Sequence, residues 1–284
     1  MEIIPLSDNL GAEIQGIDLR TITDEEFEVI YQAWLDRLIL RFRGQSLTDD
    51  QLQAFSRRFG PLEKIPIGNI EITPELLKKM GLETPYVTMI SNIKKDGRPI
   101  GGLGNSEASW HSDMTYVENP PPASILYSVE VPATGGDTHF ANQYAAYDAM
   151  PGSLKQRVIN LGIKHDATHN SVGEMRRGYE LVDDPREIPG AVHPIVKTHE
   201  ETKRKALFMG RRDWAYVPDL PLDESEALLD EIWEYAALPE NCWTQQWQVG
   251  DVIIWDNRCV LHRRAGFDDN ERRLMKRCQV LARD

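Results

Sequence analysis

The chain has 284 residues, 41% hydrophobic and 27% charged, an ordinary globular balance with enough length for one large domain or two small ones. A formal net charge of −13 speaks against a nucleic-acid partner or an anionic membrane surface, but leaves room for a local basic pocket that takes a small anion. Three cysteines, Cys242, Cys259 and Cys278, make no CxxC pair, which excludes a disulfide scaffold or cysteine-rich zinc site and fits a reducing compartment. The opening MEIIPLSDNLGAEI lacks the basic and long apolar regions of a secretory signal, and no stretch approaches the ~18 apolar residues of a membrane span, so a cytoplasmic protein is expected.

In chain order, Thr23 with Glu26 forms a capping box, and Phe27, Ile30, Tyr31, Trp34 and Leu35 follow at helical spacing. Leu38 to Phe42 is strand-like. Thr48 with Gln51 opens a second helix carrying Leu52, Phe55 and Phe59, which Gly60-Pro61 ends. Residues 61–110 are less regular, and the glycine-rich, polar segment 94–108 is expected to be a loop, either a plain surface excursion or an active-site lid. Strands are expected at 123–131 and 137–141, joined as a hairpin through Gly135-Gly136. Asn142 caps a helix running through Met150, and another helix covers 152–161. Strands near 191–198 and 205–209 flank the charged turn HEETKRK, a helix spans 223–237, and three strands, around 243–248, 251–256 and 272–281, close the chain. Regular βαβ alternation and phosphate-binding glycine fingerprints are both missing, which favours a β-sandwich or jelly roll with helices outside.

Seven histidines are available as ligands. Non-haem iron(II) oxygenases hold the metal with two histidines and one carboxylate on one face. Residues i and i+2 of an extended chain point the same way, so His-x-Asp aims an imidazole and a carboxylate at one point. With 45 acidic residues in 284 and seven histidines, about one accidental His-x-Asp/Glu is expected, and two occur: His111-Ser-Asp113 and His199-Glu-Glu201. Context separates them. His199 belongs to a highly charged stretch expected to be a solvated turn, whereas His111 follows Trp110 and precedes an apolar strand. The alternative for His111 is a hydrogen-bonded structural histidine. His165 and His169 are four apart, but Asp166 stands where HExxH proteases carry glutamate, which breaks that motif. His139 and His193 flank strand-like runs and read as structural. His262 follows the apolar strand VIIWD. Further on, alternation puts Arg273, Met275 and Arg277 on one strand face, where two arginines suit two anionic groups. The alternative is a surface strand with scattered basic residues.

At these residues the sequence resembles the taurine and 2,4-dichlorophenoxyacetate dioxygenase family. The likeness runs through GAEIQGIDL, LRFRGQSLTDDQLQAFSRRFGPLE, WHSDMTY, PATGGDTHFANQYAAYDAMP, HPIVKTHEETKRKALFMG and WDNRCVLHRRAGFDDNERRLMKR, in family order and over nearly the whole chain. It implies one dioxygenase domain over 1–284, mainly β with helical insertions, built on a double-stranded β-helix (jelly roll). It implies Fe(II) held by His111, Asp113 and His262, with 2-oxoglutarate and O2 as co-substrates. Thr138 and Arg273 fall where the family holds the distal carboxylate of 2-oxoglutarate, and Arg277 where it meets the acidic group of the primary substrate. The implied reaction oxidises a small anionic substrate, such as a sulfonate or carboxylate, as 2-oxoglutarate becomes succinate and CO2. Asp113 favours oxygenation over halogenation, because the related halogenases replace that carboxylate. A homodimer or homotetramer is the family expectation. Glu107 stands where the taurine enzyme carries a substrate-contacting asparagine, and residues 65–106 form a longer segment than that enzyme has. Both features argue against taurine, and Glu107 would favour an ammonium-bearing substrate. Two rivals are a cupin-type metal-dependent isomerase or hydrolase and a non-catalytic ligand-binding protein on the same fold. Succinate production separates the first, and the intact triad speaks against the second.

Overall fold

The computed structural model describes residues 1–65, 72–176, 178–180 and 182–282. Residues 66–71 of the irregular stretch lie outside them. The chain enters through an antiparallel pair, β1 (Glu2–Pro5) and β2 (Ala12–Gln15). Helix α1 (Asp24–Arg37) starts at the Thr23–Glu26 capping box. It ends at Leu38, whose φ of 66° turns the chain straight into β3 (Ile39–Phe42). The second capping box, Thr48 with Gln51, opens α2 (Asp49–Arg57), and α3 (Pro74–Met80) follows. Then come β4 (Thr88–Ser91), β5 (Lys94–Lys95), β6 (Arg98–Pro99), β7 (Gly102–Leu103) and β8 (Ala108–His111).

The central strands are β9 (Ala123–Glu130) and β10 (Thr138–Asn142). Asn142 caps α4 (Gln143–Ala149) as expected, and α5 (Gly152–Val158) is shorter than the predicted 152–161. Strands β11 (Gly162–Lys164) and β12 (Val192–Pro194) pair, and β13 (Val196–Thr198) and β14 (Lys205–Leu207) form the hairpin around HEETKRK. Helix α6 (Leu222–Ala236) precedes β15 (Cys242–Gln245), β16 (Val252–Asp256), β17 (Val260–Arg264) and β18 (Leu274–Val280).

Two sheets face each other: β1-β2-β3-β16-β9-β18-β4-β7 and β15-β10-β17-β8. This is the jelly roll that the sequence implied. Strand alternation sorts the side chains. Ile125, Tyr127, Val252 and Ile254 point outward beneath α1 and α2, packing with Phe27, Trp34, Leu52 and Phe55. Leu126, Ile253, Trp255 and Met275 point inward and meet Phe140 and Val260 of the smaller sheet. On the far side of that sheet, Ala141 and Leu261 pack on Ala236 of α6. Among the described residues no helix is long and apolar enough to cross a membrane.

Three expectations change. The β9–β10 hairpin does not form, because the two strands lie in different sheets. Gly135 and Gly136, at φ 75° and 67°, instead carry the chain across the gap. The backbone there is pressed so close that a Cβ on Gly135 would sit 2.7 Å from the Gly266 carbonyl oxygen. Four strands, not three, close the chain, since β17 is a separate strand at the VLHRR segment. The 94–108 segment is not wholly loop: β5 and β6 pair, and β7 adds in parallel to β4.

Phe55 is 2% exposed and edge-packed on Phe42 and Phe59, each with ring centroids 5.5 Å away. Phe55→Ala should therefore lower the unfolding free energy by about 3–5 kcal/mol, read by urea denaturation.

Candidate metal centre and active site

Strands β8 and β17 pair antiparallel with His111 directly opposite His262. This register, together with the inward-facing parity of both residues, brings the imidazoles together with centroids 4.1 Å apart and the rings tilted by 44°. Asp113 lies in the turn after β8, where Met114 takes a φ of 54° and bends the chain back. Its Oδ1 is 3.8 Å from His111 Nε2 and 3.9 Å from His262 Nε2. The three can offer ligand atoms that all lie within 4.8 Å of one another. His-x-Asp is not one extended run here: His111 ends the strand and Asp113 lies in the turn, so the two meet at a strand-to-turn junction.

The protonation states suit a cation. His111 Nδ1 lies 2.7 Å from the Ser109 carbonyl, which fixes its proton there and leaves the Nε2 lone pair facing Asp113. Burial pushes both imidazoles below the usual histidine range, His262 to about 3 with His111 adding to the effect. Burial alone would raise the Asp113 carboxyl, but Arg277, His262 and His111 hold it down to about 2. At neutral pH the cluster is two neutral imidazoles and one carboxylate, the nitrogen and oxygen donor set that suits iron(II).

These three residues share a cavity of about 420 Å³ with Thr138, Arg273 and Arg277. Arg273 is 1% exposed, its Nε has no hydrogen-bond partner, and no carboxylate pairs with its guanidinium among the described residues. Burial, reinforced by nearby Arg264, presses its pKa down to about 9. Thr138 Oγ accepts a 3.0 Å hydrogen bond from Trp247 Nε1, so its own hydroxyl proton is left to donate elsewhere. A buried cation in this state is a socket for an anion. Arg277 lies 3.4 Å from Asp113 Oδ1.

A family model described as taurine catabolism dioxygenase TauD, TfdA family matches residues 2–279. The chain belongs to the TauD/TfdA dioxygenase family. It is 34% identical to a (S)-phenoxypropionate/alpha-ketoglutarate-dioxygenase of Sphingobium herbicidovorans, over 96% of this chain and 92% of that one. It is 35% identical to an alpha-ketoglutarate-dependent 2,4-dichlorophenoxyacetate dioxygenase of Cupriavidus pinatubonensis, over 98% and 96%. A crystal structure of AAD-2 in complex with Mn(II) and N-oxalylglycine superposes with a TM-score of 0.80 at 27% identity, covering 100% of this chain and 99% of that one.

Within this TauD/TfdA chain, Glu107 is the predicted site residue that does not reach the cavity. Between His262↔His111 and Arg264↔Ala108 the β8 strand carries an extra residue. Past this bulge Glu107 pairs with Arg263 Nη1 at 2.7 Å. Arg263 alternates with the inward-facing His262 and Arg264, so the pair belongs to the outer face, away from the residues that line the cavity.

His199 also departs from expectation. It is buried, not solvated, and its Nε2 lies 3.0 Å from Asp256 Oδ2. With Asp256 and Cys259 it forms a second cluster of ligand-type residues. Its Nδ1 accepts from the amides of Glu201 and Thr202, so Nε2 carries the proton and donates to Asp256. Burial keeps the Cys259 thiol protonated. With no lone pair or thiolate free, this trio is a structural network. His139 bonds to Thr244, and His193 to the Val117 carbonyl, both in structural roles. His165 and His169 form no shared metal site: His169 pairs with Asp166 and stacks on Trp214, while His165 packs against His193 and Phe208.

Several cavity residues escaped the sequence analysis. Arg264 shares strand parity with His262, a signal that was present, and it donates to the Leu103 and Ser106 carbonyls. Tyr116 and Arg176 meet through a 2.6 Å hydrogen bond, with the guanidinium 4.1 Å from the ring centroid. They lie 60 positions apart, and no local pattern joins them.

One divalent ion per chain should be measured by equilibrium dialysis with Co(II). His262→Ala should abolish binding, and Cys259→Ser should leave the stoichiometry at one.

Proposed function

We propose that this chain is an iron(II)- and 2-oxoglutarate-dependent dioxygenase that oxidises a small organic acid. The observation that carries this assignment is the pairing, in one cavity, of the His111–Asp113–His262 cluster with the buried Arg273 guanidinium, which no carboxylate pairs among the described residues. Relatives named for alpha-ketoglutarate dependence over nearly full length support the same co-substrate.

His111, Asp113 and His262 would hold the iron, leaving open positions on the metal. Bound iron(II) with 2-oxoglutarate and O2 supplies the oxidising power, 2-oxoglutarate leaving as succinate and CO2. The protein binds, orients and shields. Arg273 would pair with the distal carboxylate of 2-oxoglutarate, and the Thr138 hydroxyl would donate to it. Arg277 sits beside the metal cluster and receives the acidic group of the substrate, which turns the neighbouring carbon toward the metal. Segment 94–108 is the lid, tied down where Arg264 holds the carbonyls of Leu103 and Ser106.

Arg273→Ala should raise the 2-oxoglutarate concentration needed for half-maximal succinate formation by at least roughly tenfold, about 1.4 kcal/mol. An unchanged requirement removes Arg273 from that role. Arg277→Ala, assayed against organic acids that couple to succinate formation in the wild type, should raise the substrate KM roughly tenfold or more while the 2-oxoglutarate requirement stays within twofold. A change confined to 2-oxoglutarate would reassign the residue.

A further inference from the structure

The two oxygens of the Asp113 carboxylate are not equivalent. Oδ1 faces both histidines and Arg277, whereas Oδ2 accepts a 2.7 Å hydrogen bond from the Ser124 hydroxyl. Ser124 is fully buried on β9, paired on one side with Trp255 of β16 and on the other with Gln279 of β18. Its hydroxyl therefore projects from a strand that is paired along both edges. The Asp113 backbone is fixed separately. Asn257 accepts from its amide at 2.7 Å and donates to its carbonyl at 2.9 Å, and also donates to the Pro121 carbonyl at 2.9 Å. Ser112 donates to the Val260 carbonyl at 3.0 Å. With the main chain clamped on both sides, the remaining freedom of Asp113 is rotation of its carboxylate, and the hydroxyl of Ser124 opposes that rotation.

We propose that Ser124 is a positioning residue which makes Asp113 a one-oxygen ligand. This inference rests on the metal assignment made above. A carboxylate can give a metal one oxygen or two. If Asp113 swung both oxygens onto the ion, it would fill a position that the co-substrate or O2 requires. By occupying Oδ2, Ser124 holds that position open, and by fixing the carboxylate plane it pre-forms the site. Asn257 does the same for the backbone.

The test compares wild type, Ser124→Ala and Ser124→Cys by three measurements: thermal unfolding of the metal-free chain, Co(II) titration followed by the visible absorption of the bound ion, and calorimetric binding of 2-oxoglutarate to the Co(II) form. Cysteine fills the space but donates weakly. Both variants should unfold near the wild-type temperature without metal, bind Co(II) roughly tenfold more weakly, show an altered Co(II) spectrum and bind 2-oxoglutarate more weakly. Co(II) affinity within twofold of wild type with an unchanged spectrum in Ser124→Ala overturns the inference. So does a wild-type spectrum in Ser124→Cys, which would make the residue a packing element. A wild-type chain that binds no Co(II), or a His262→Ala chain that binds it equally well, instead overturns the metal assignment, and this inference with it.

Discussion

His111 and His262 face each other across one antiparallel register, and the chemistry of the cavity depends on that pairing. A slip of one residue between β8 and β17 would turn His262 outward and bring its neighbours Leu261 or Arg263 in. The register is held from both directions. Outward-facing Leu261 is buried against α6, inward-facing Val260 is buried between the sheets, and β10 pairs with β17 along its full length. The bulge between His262 and Arg264 absorbs the extra residue of β8 without disturbing the histidine pair. Asp113 then needs only the turn after His111 to complete the cluster.

Electrostatics run in opposite senses at the two scales of the molecule. The whole chain carries a formal −13, yet the cavity is lined by five arginines, at 176, 211, 264, 273 and 277, against three carboxylates, Asp113, Asp166 and Glu174. Arg211 is matched by Asp166 and Arg277 lies against Asp113, which leaves Arg176, Arg264 and Arg273 with only Glu174 to offset them. An acidic exterior repels stray polyanions, while the buried surplus favours small anions able to enter. The cost of holding Arg273 in a low dielectric appears as its lowered pKa, and a bound carboxylate would relieve it.

Much of this was legible in the sequence. The capping boxes at Thr23 and Thr48, the cap at Asn142 and the alternation along 273–277 are local signals, and each appears where the residues placed it. Long-range placement was not legible. The strand pair around Gly135-Gly136 looks like a hairpin because turn chemistry is local, while the choice of sheet depends on what β10 meets 100 positions later. His199 looked solvated because its neighbours are charged, but its ring turns inward to Asp256, a partner 57 positions away. Glu107 was placed by its likeness to a substrate-contacting asparagine of the taurine enzyme, and that likeness says nothing of the Arg263 partner which draws its side chain to the outer face. The contacts of Ser124 and Asn257 with Asp113 likewise require the folded sheet, since a serine in an apolar strand and an asparagine after a tryptophan-aspartate pair have many possible partners.

Strand β18 runs between β9 and β4 in the larger sheet; it carries Arg277, and Arg273 stands immediately before its first residue. Four residues of extended backbone span roughly 13 Å. On the proposed roles, co-substrate and substrate are therefore gripped at two marks on one stiff rod, the first at its entry and the second within the part hydrogen-bonded along both edges. The rod acts as a molecular ruler. It sets how far apart the two acids must lie when both are bound, and so limits the length of acid whose reactive carbon can lie over the metal. Evolution of a new specificity would then proceed by reshaping the walls around that fixed measure, through residues such as Tyr116 and Arg176, while the spacing itself stays constant.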